Sequence, residues 1–401
     1  MSGICGIMDI ENHSVELDRL YSMSLALSLR GRKRSSAFCE GRVGMLYRSS
    51  ESNAFCEDED RQPHICRRRG KSYALCIDSD GIESGAVLEK YFVCGIEAIG
   101  AIDGAFALAI YDGERDILLL ARDRAGQRPL FYSYNGKKLY FSSEVKGILS
   151  ACDTAAEVDR EVLARHLTSP MGTYGAADIY CDVGEVLAGE CILFTSMGMS
   201  RFFYRDTKGS QRLSGKRRAK RDTPTLPYPT RDELLFESLN ESLIAFDYPQ
   251  FDCHIPSLCR MLSVAAHECR ERICFEDPTL SFSRAYSYER RDRLGNLYGV
   301  VARGIPMQGR GKKDNSLEKM CEALYARFSS LDGRDARLLG AIFGSARFDV
   351  IRGALERQTV KKEDAENSIR ILGMLLETVE WAQASRLLIK SASQSICYDC
   401  M

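Results

Sequence analysis

Gly104-Ala105-Phe106-Ala107-Leu108-Ala109-Ile110-Tyr111-Asp112 is the stretch on which the reading of the fold turns. From Ala105 to Tyr111 both alternating positions are apolar, the pattern of a strand buried on both faces. Asp112-Gly113-Glu114-Arg115 follows as a turn, and Ile117 to Ala121 repeats the buried-strand pattern. Further out, Tyr73 to Ile77 is another apolar run. Leu130-Phe131-Tyr132 and Leu139 to Ser142 flank Asn135-Gly136, a dipeptide suited to the left-handed backbone of a tight hairpin turn. Val158 to Leu167 suits a short helix with Asp159 as N-cap. From Gly3 to Phe203 the chain therefore reads as a mixed α+β region rich in antiparallel strands.

Composition then shifts. Lys208 to Pro229 holds the basic run Gly215-Lys216-Arg217-Arg218-Ala219-Lys220-Arg221 and prolines at 224, 227 and 229, and reads as a solvated connector. Beyond Asp232, Leu234 to Ala245, Leu317 to Phe328, Ala336 to Phe343 and Ile369 to Ile389 carry apolar residues at helical spacing. Leu297 to Ala302 reads as a strand among them.

The 401 residues are 45% apolar and 28% charged, with a net charge of -1. A core of ordinary size follows, without the field that would favour nucleic acid or an anionic membrane. No window approaches 18 uninterrupted apolar residues, and Met1-Ser2-Gly3-Ile4-Cys5 lacks a basic region leading an apolar one. A cytoplasmic protein is expected, its 16 cysteines read as reduced, buried thiols. Cys253, His254, Cys259, His267, Cys269 and Cys274 cluster within 22 residues, and Cys397 and Cys400 form one CxxC. Neither supplies the paired spacing of a zinc site, so no metal and no cofactor is expected.

The decisive string continues through Leu119-Leu120-Ala121-Arg122-Asp123-Arg124-Ala125-Gly126-Gln127-Arg128-Pro129-Leu130-Phe131-Tyr132 to Phe141-Ser142-Ser143-Glu144-Val145-Lys146. In order and spacing it resembles the N-terminal glutaminase domain of the glutamine-hydrolysing asparagine synthetase family. Arg30-Gly31, Gln62-Pro63, Val183 to Glu190 and Phe202-Phe203-Tyr204 resemble that domain's flanking motifs. The resemblance implies a four-layer αββα sandwich of the N-terminal-nucleophile hydrolase kind over residues 2–205, then a linker over 206–230. A divergent, mainly α-helical region would fill 231–401. Arg122-Asp123-Arg124 is read as a device that organises the domain rather than one that reacts.

The same resemblance names the groups glutamine hydrolysis needs. Ser2 stands where the family has its first-residue cysteine, whose own α-amine is the base. Cys5 lies too far along to replace it. Asp78 and Ser79 fall on the Asn-Gly pair of the oxyanion hole, so a carboxylate replaces a donor. Arg48 is the counterpart of the arginine that holds the glutamine α-carboxylate. Ser84 and Ala86 stand where acids would hold its α-ammonium. The pyrophosphate loop of the synthetase half, Ser-Gly-Gly, is missing, and Gly304 to Lys312 lacks the Gly-Lys-Ser/Thr ending of a phosphate loop. The leading expectation is a degenerate glutaminase domain in a non-catalytic, scaffold or regulatory role, with a glutamine-like amino acid or amide as possible ligand. The rival is an active enzyme of asparagine biosynthesis, using Ser2 or borrowing a partner's ATP domain. A homodimer is implied by resemblance alone.

Overall fold

The computed structural model describes residues 2–11, 14–32, 34–49, 62–79, 81–152, 156–168, 175–204, 213–214 and 235–251. It also describes 255, 259, 262–263, 266, 272–274, 301–303, 316–361, 365–384, 387–390 and 395–397. The linker prolines, Cys253, His254, His267, Cys269, Cys400 and the Gly304 to Lys312 segment lie outside these. In chain order the first elements are β1 (Ser2–Asp9), α1 (Leu17–Ala26), β2 (Arg34–Glu40), β3 (Val43–Ser49), β4 (His64–Arg68) and β5 (Lys71–Ser79). There follow α2 (Ser84–Cys94), β6 (Ile102–Asp103), β7 (Phe106–Asp112), β8 (Ile117–Arg122), β9 (Phe131–Tyr134), β10 (Lys138–Ser142) and α3 (Val145–Leu149). Then come β11 (Ala156–Asp159), α4 (Arg160–Thr168), α5 (Ala176–Ile179), β12 (Gly184–Glu185), β13 (Glu190–Thr195) and β14 (Gly198–Phe203).

The chain divides into two compact units, residues 1–153 with 182–221 and residues 154–181 with 222–401. The first unit holds two six-stranded antiparallel sheets, ordered β12-β9-β10-β1-β3-β2 and β14-β13-β8-β7-β5-β4. Between them lies one apolar cluster, with Ile4, Met8, Met45 and Phe141 from the first sheet and Cys76, Ala107, Ala109, Leu118 and Leu120 from the second. On the other face of the second sheet, Leu75, Ile77, Leu108, Ile110 and Leu119 pack with Val87, Leu88 and Tyr91 of α2. This explains the decisive string: β7 is apolar at every position because one set of side chains meets a sheet and the other a helix. α1 and α3 pack on the first sheet's strands β1, β3 and β10.

The expected turns are built as their residues dictate. Gly136 has φ +87°, and Asn135 Oδ1 accepts from the N–H groups of Lys137 and Lys138 at 3.0 and 2.8 Å. Asp159 Oδ1 caps α4 by accepting from the N–H groups of Glu161 and Val162 at 2.8 and 2.9 Å. Gly6 of β1 is constrained from both sides. A Cβ there would lie 2.4 Å from Phe141 Cε1 and 2.5 Å from the Gly44 carbonyl oxygen. Gly6→Ala is therefore expected to cost at least about 1–3 kcal/mol in urea unfolding, as overpacking does. An unchanged midpoint would contradict the placement of Gly6 opposite Phe141 of β10 and Met45 of β3.

The second unit is mainly helical. Its remaining elements are β15 (Leu213–Ser214, placed with the first unit), α6 (Leu235–Phe246), β16 (Arg272–Cys274), β17 (Val301–Arg303), α7 (Ser316–Ser329), α8 (Gly333–Phe343), α9 (Ser345–Lys361), α10 (Ala365–Ala384), β18 (Leu387–Lys390) and β19 (Ser395–Cys397). Two sequence expectations change here. The helix drawn from Ile369 to Ile389 ends at Ala384, and Leu387–Lys390 is instead a strand running parallel to β11. For the same reason residues 154–181, read as part of the first domain, pack in the second unit: β11 pairs with β18, and α4 packs on α8 and α10. No described helix is long and apolar enough to cross a membrane.

Candidate functional site

Two strands from different sheets build the site. β1 pairs with β3 in the register Ser2↔Ser49, Gly3↔Arg48, Ile4↔Tyr47. Paired residues share a face, so Ser2, Ile4, Tyr47 and Ser49 look toward the second sheet. Asp78, next to last in β5, is turned toward them, because its neighbour Ile77 faces α2. Ser2 Oγ donates to Asp78 Oδ1 at 2.7 Å, and the Tyr47 hydroxyl lies close enough to the Ser2 side chain to affect its own ionisation.

Arg30 closes the arrangement. Its Nε donates to the Ser2 carbonyl at 2.9 Å, one terminal nitrogen to Asp78 Oδ2 at 2.9 Å, and the other reaches Glu144 Oε1 at 3.5 Å. Glu144 also pairs with Lys146 at 2.9 Å. Arg30 is 2% and Asp78 1% exposed, so these charges are compensated by each other rather than by water. Gly31 lets the Arg30 loop reach β3, since a Cβ on it would sit 2.6 Å from Arg48 carbonyl carbon. Burial pushes the Asp78 carboxyl up, but Arg128, Arg30 and the Ser2 hydroxyl outweigh it and hold the group below its ordinary 3.8. Asp78 is thus a carboxylate at neutral pH. Burial pushes the Tyr47 hydroxyl up to about 12, and likewise the Cys5 thiol, which leaves Cys5 an inert core thiol.

Of the sequence-derived candidates, Ser2 and Asp78 are brought together. Arg48 is not brought to them. Paired with Gly3, it points to the opposite face of the sheet, where Nε donates to Gly31 O at 2.8 Å and Nη1 to Ser24 Oγ at 3.0 Å. Ser79 ends β5, its Oγ accepting from Ile82 N–H at 3.3 Å. Ser84 opens α2 on the helix face that packs against the second sheet, with Val87, Leu88 and Tyr91. Gln62, preceding a cis peptide bond to Pro63, accepts from Ile77 N–H through Oε1 at 2.7 Å and so completes the end of β5. Sequence reasoning does not put Arg30, Tyr47, Arg128 or Glu144 at the site. Three of them lie in strings already matched, and a charged residue inside a buried motif is the available signal.

Arg128 is placed by Asp123. That carboxylate accepts from the N–H groups of Phe106, Ala125, Gln127 and Arg128 at 3.3, 3.0, 2.9 and 3.1 Å. Arg122 donates to Val186 O at 2.9 Å and Gly126 O at 2.7 Å and pairs with Glu185. The Arg122-Asp123-Arg124 segment is therefore an organiser of the turn, as its composition suggested.

Among the described residues no group of three or more His, Cys, Asp and Glu side chains is placed to hold a metal ion. A family profile described as a glutamine amidotransferase domain matches residues 77–205. The matched stretch takes in Asp78 of the site and strands β7, β8, β13 and β14 of the second sheet. Asparagine synthetase [glutamine-hydrolyzing] 3 of Bacillus subtilis is 26% identical over 226 residues, covering 51% of this chain and 36% of the relative. Asparagine synthetase B [glutamine-hydrolyzing] of Escherichia coli is 27% identical over 174 residues, covering 39% and 31%. Over its N-terminal part the chain is thus similar to glutamine-hydrolysing asparagine synthetases and to the glutamine amidotransferase domain. It spans about a third of the length of these relatives, 36% and 31%. A solved B. subtilis glutamine phosphoribosylpyrophosphate amidotransferase aligns with 82% of this chain and 70% of its own at 13% identity and a TM-score of 0.36, too loose to add to the assignment.

Proposed function

We propose that the first unit is an αββα N-terminal-nucleophile sandwich that no longer hydrolyses glutamine and acts as a non-catalytic scaffold or regulatory module, able to hold a small amino acid or amide. The observation that carries this is the 2.7 Å bond from Ser2 Oγ to Asp78 within the Arg30 ion pair. A developing oxyanion needs donors, and the group at that position is an ionised acceptor. Losing one such donor costs about 2.7–4 kcal/mol of transition-state stabilisation. Asp78 is also a poor base for the Ser2 proton, since its affinity for protons is held below that of an ordinary carboxylate. Hydroxyl for thiol weakens the nucleophile further.

The test is glutamate release from glutamine by protein lacking Met1, compared with Ser2→Ala. The expected result is no difference between them. Release that depends on Ser2 would establish the rival, an active amidohydrolase. Thermal shifts with glutamine, asparagine, glutamate and ATP complete the experiment. A rise with an amide and none with ATP supports the ligand-holding role, while a rise with ATP speaks for a surviving synthetase activity. Light scattering checks the accompanying proposal that two copies pair.

A further inference from the structure

The second unit contains a buried loop that is satisfied almost entirely by side chains. Residues Asp247-Tyr248-Pro249-Gln250-Phe251 follow α6 and are all buried. Asp247 takes φ +67°, the left-handed conformation that ends a helix. A loop so placed must find partners for its backbone groups. The Asp247 carbonyl accepts from the Tyr180 hydroxyl at 2.6 Å, and His166 Nε2 lies 2.8 Å from the Pro249 carbonyl and must carry the proton. The N–H groups of Gln250 and Phe251 both donate to Glu377 Oε2, at 2.7 and 3.0 Å. Gly373, one turn before on α10, admits the Phe251 ring, since a Cβ there would lie 1.9 Å from Phe251 Cδ1.

Glu377 is fully buried, 0% exposed. Its Oε1 and Ser242 Oγ of α6, the polar group beside it, make no well-formed hydrogen bond to a described residue. Among the described residues the charged surroundings give Glu377 no compensating cation. From its own helix Glu380 adds repulsion, and Arg327 of α7 acts on Glu380. From α4, His166 is engaged with the loop carbonyl. Asp335 of α8 accepts from Gln383, α6 contributes Glu241, and the loop contributes Asp247. A carboxylate here would be a buried charge facing two N–H groups and, among the described residues, no cation. A carboxylic acid keeps Oε2 as acceptor for both N–H groups and gives Oε1 a proton to offer Ser242.

We propose that Glu377 is a proton-operated clasp: in its protonated form it locks the 247–251 loop into the helical unit, so acidification tightens this unit and rising pH loosens it. The assignment is independent of the glutaminase reading. Burial pushes the Glu377 carboxyl from 4.5 up to about 8. When the loop opens and the side chain meets water, the group returns toward its ordinary value. The closed state therefore holds more protons between those limits, and its advantage is complete in acid and lost as pH rises through about 8.

The experiment is hydrogen exchange of the full chain from pH 5 to pH 9, each rate divided by the intrinsic rate at that pH. Protection of the Gln250 and Phe251 amides should fall by ~tenfold per pH unit and then level off near the top of the range, the linkage expected of one proton. Glu377→Gln preserves acceptor and donor without titrating, and should hold protection flat. The wild-type series decides the matter by itself should that variant not fold. Protection independent of pH in the wild type, or a variant slope equal to the wild-type slope, would overturn the proposal.

Discussion

Arg30→Met is expected to destabilise the N-terminal unit by about 3–5 kcal/mol, the cost of leaving buried charges without their partner. Methionine keeps length and packing but removes the guanidinium that joins the Ser2 carbonyl, Asp78 and Glu144. Lys146 still pairs with Glu144, so Asp78 bears most of the loss. Arg30→Met with Asp78→Asn should recover a large part, because the buried anion that has kept Arg128 but lost Arg30 is then gone. The readout is urea unfolding by circular dichroism. Fluorescence is unsuitable because the single tryptophan, Trp381, lies in the other unit. The acid limb offers a second check. Since Asp78 is held below 3.8, its contribution is present above that value and lost as pH falls through its lower folded value. In Arg30→Met that part of the acid dependence should shrink, and equal acid limbs would refute the pairing.

Asp123→Ala should have an effect of similar size. Four backbone N–H groups converge on this carboxylate, which is 2% exposed. Hydrogen bonds to a charged group contribute about 1.5–3 kcal/mol each and are not additive, so a loss of at least ~3 kcal/mol is expected. Asp123→Asn should fall between wild type and alanine, as its amide nitrogen would face donors. The turn also carries Arg128, the strongest cationic influence on Asp78. Loss of Asp123 should therefore raise the Asp78 pKa as well as lower stability, measurable by carboxyl NMR titration. A stability change with no shift at Asp78 would separate the two roles.

The N-terminal strands are legible because their burial on both faces leaves an unbroken apolar run, as in β7 and β8. The 387–390 strand is not, because Leu387-Leu388-Ile389 suits helix and strand alike and its partner lies more than two hundred residues earlier, beyond any local window. α9 leaves little periodic signal because, in a charged sequence, few apolar residues such as Phe348 and Leu355 face the core. At the site, Ser2 and Asp78 can be found by alignment of motifs. Which face Arg48 takes depends on the pairing of β1 with β3, and a register of one residue decides it.

The stretch from 154 to 181 has a practical corollary. A fragment stopped at residue 205 would drag along a foreign insert, with Val158, Leu163, Leu167, Ile179 and Tyr180 stripped of their cover. A clean excision would have to splice residue 153 to residue 182. The chain passes between the two units three times, at 153–154, 181–182 and 221–222, so a cut at any single point leaves part of one unit attached to the other.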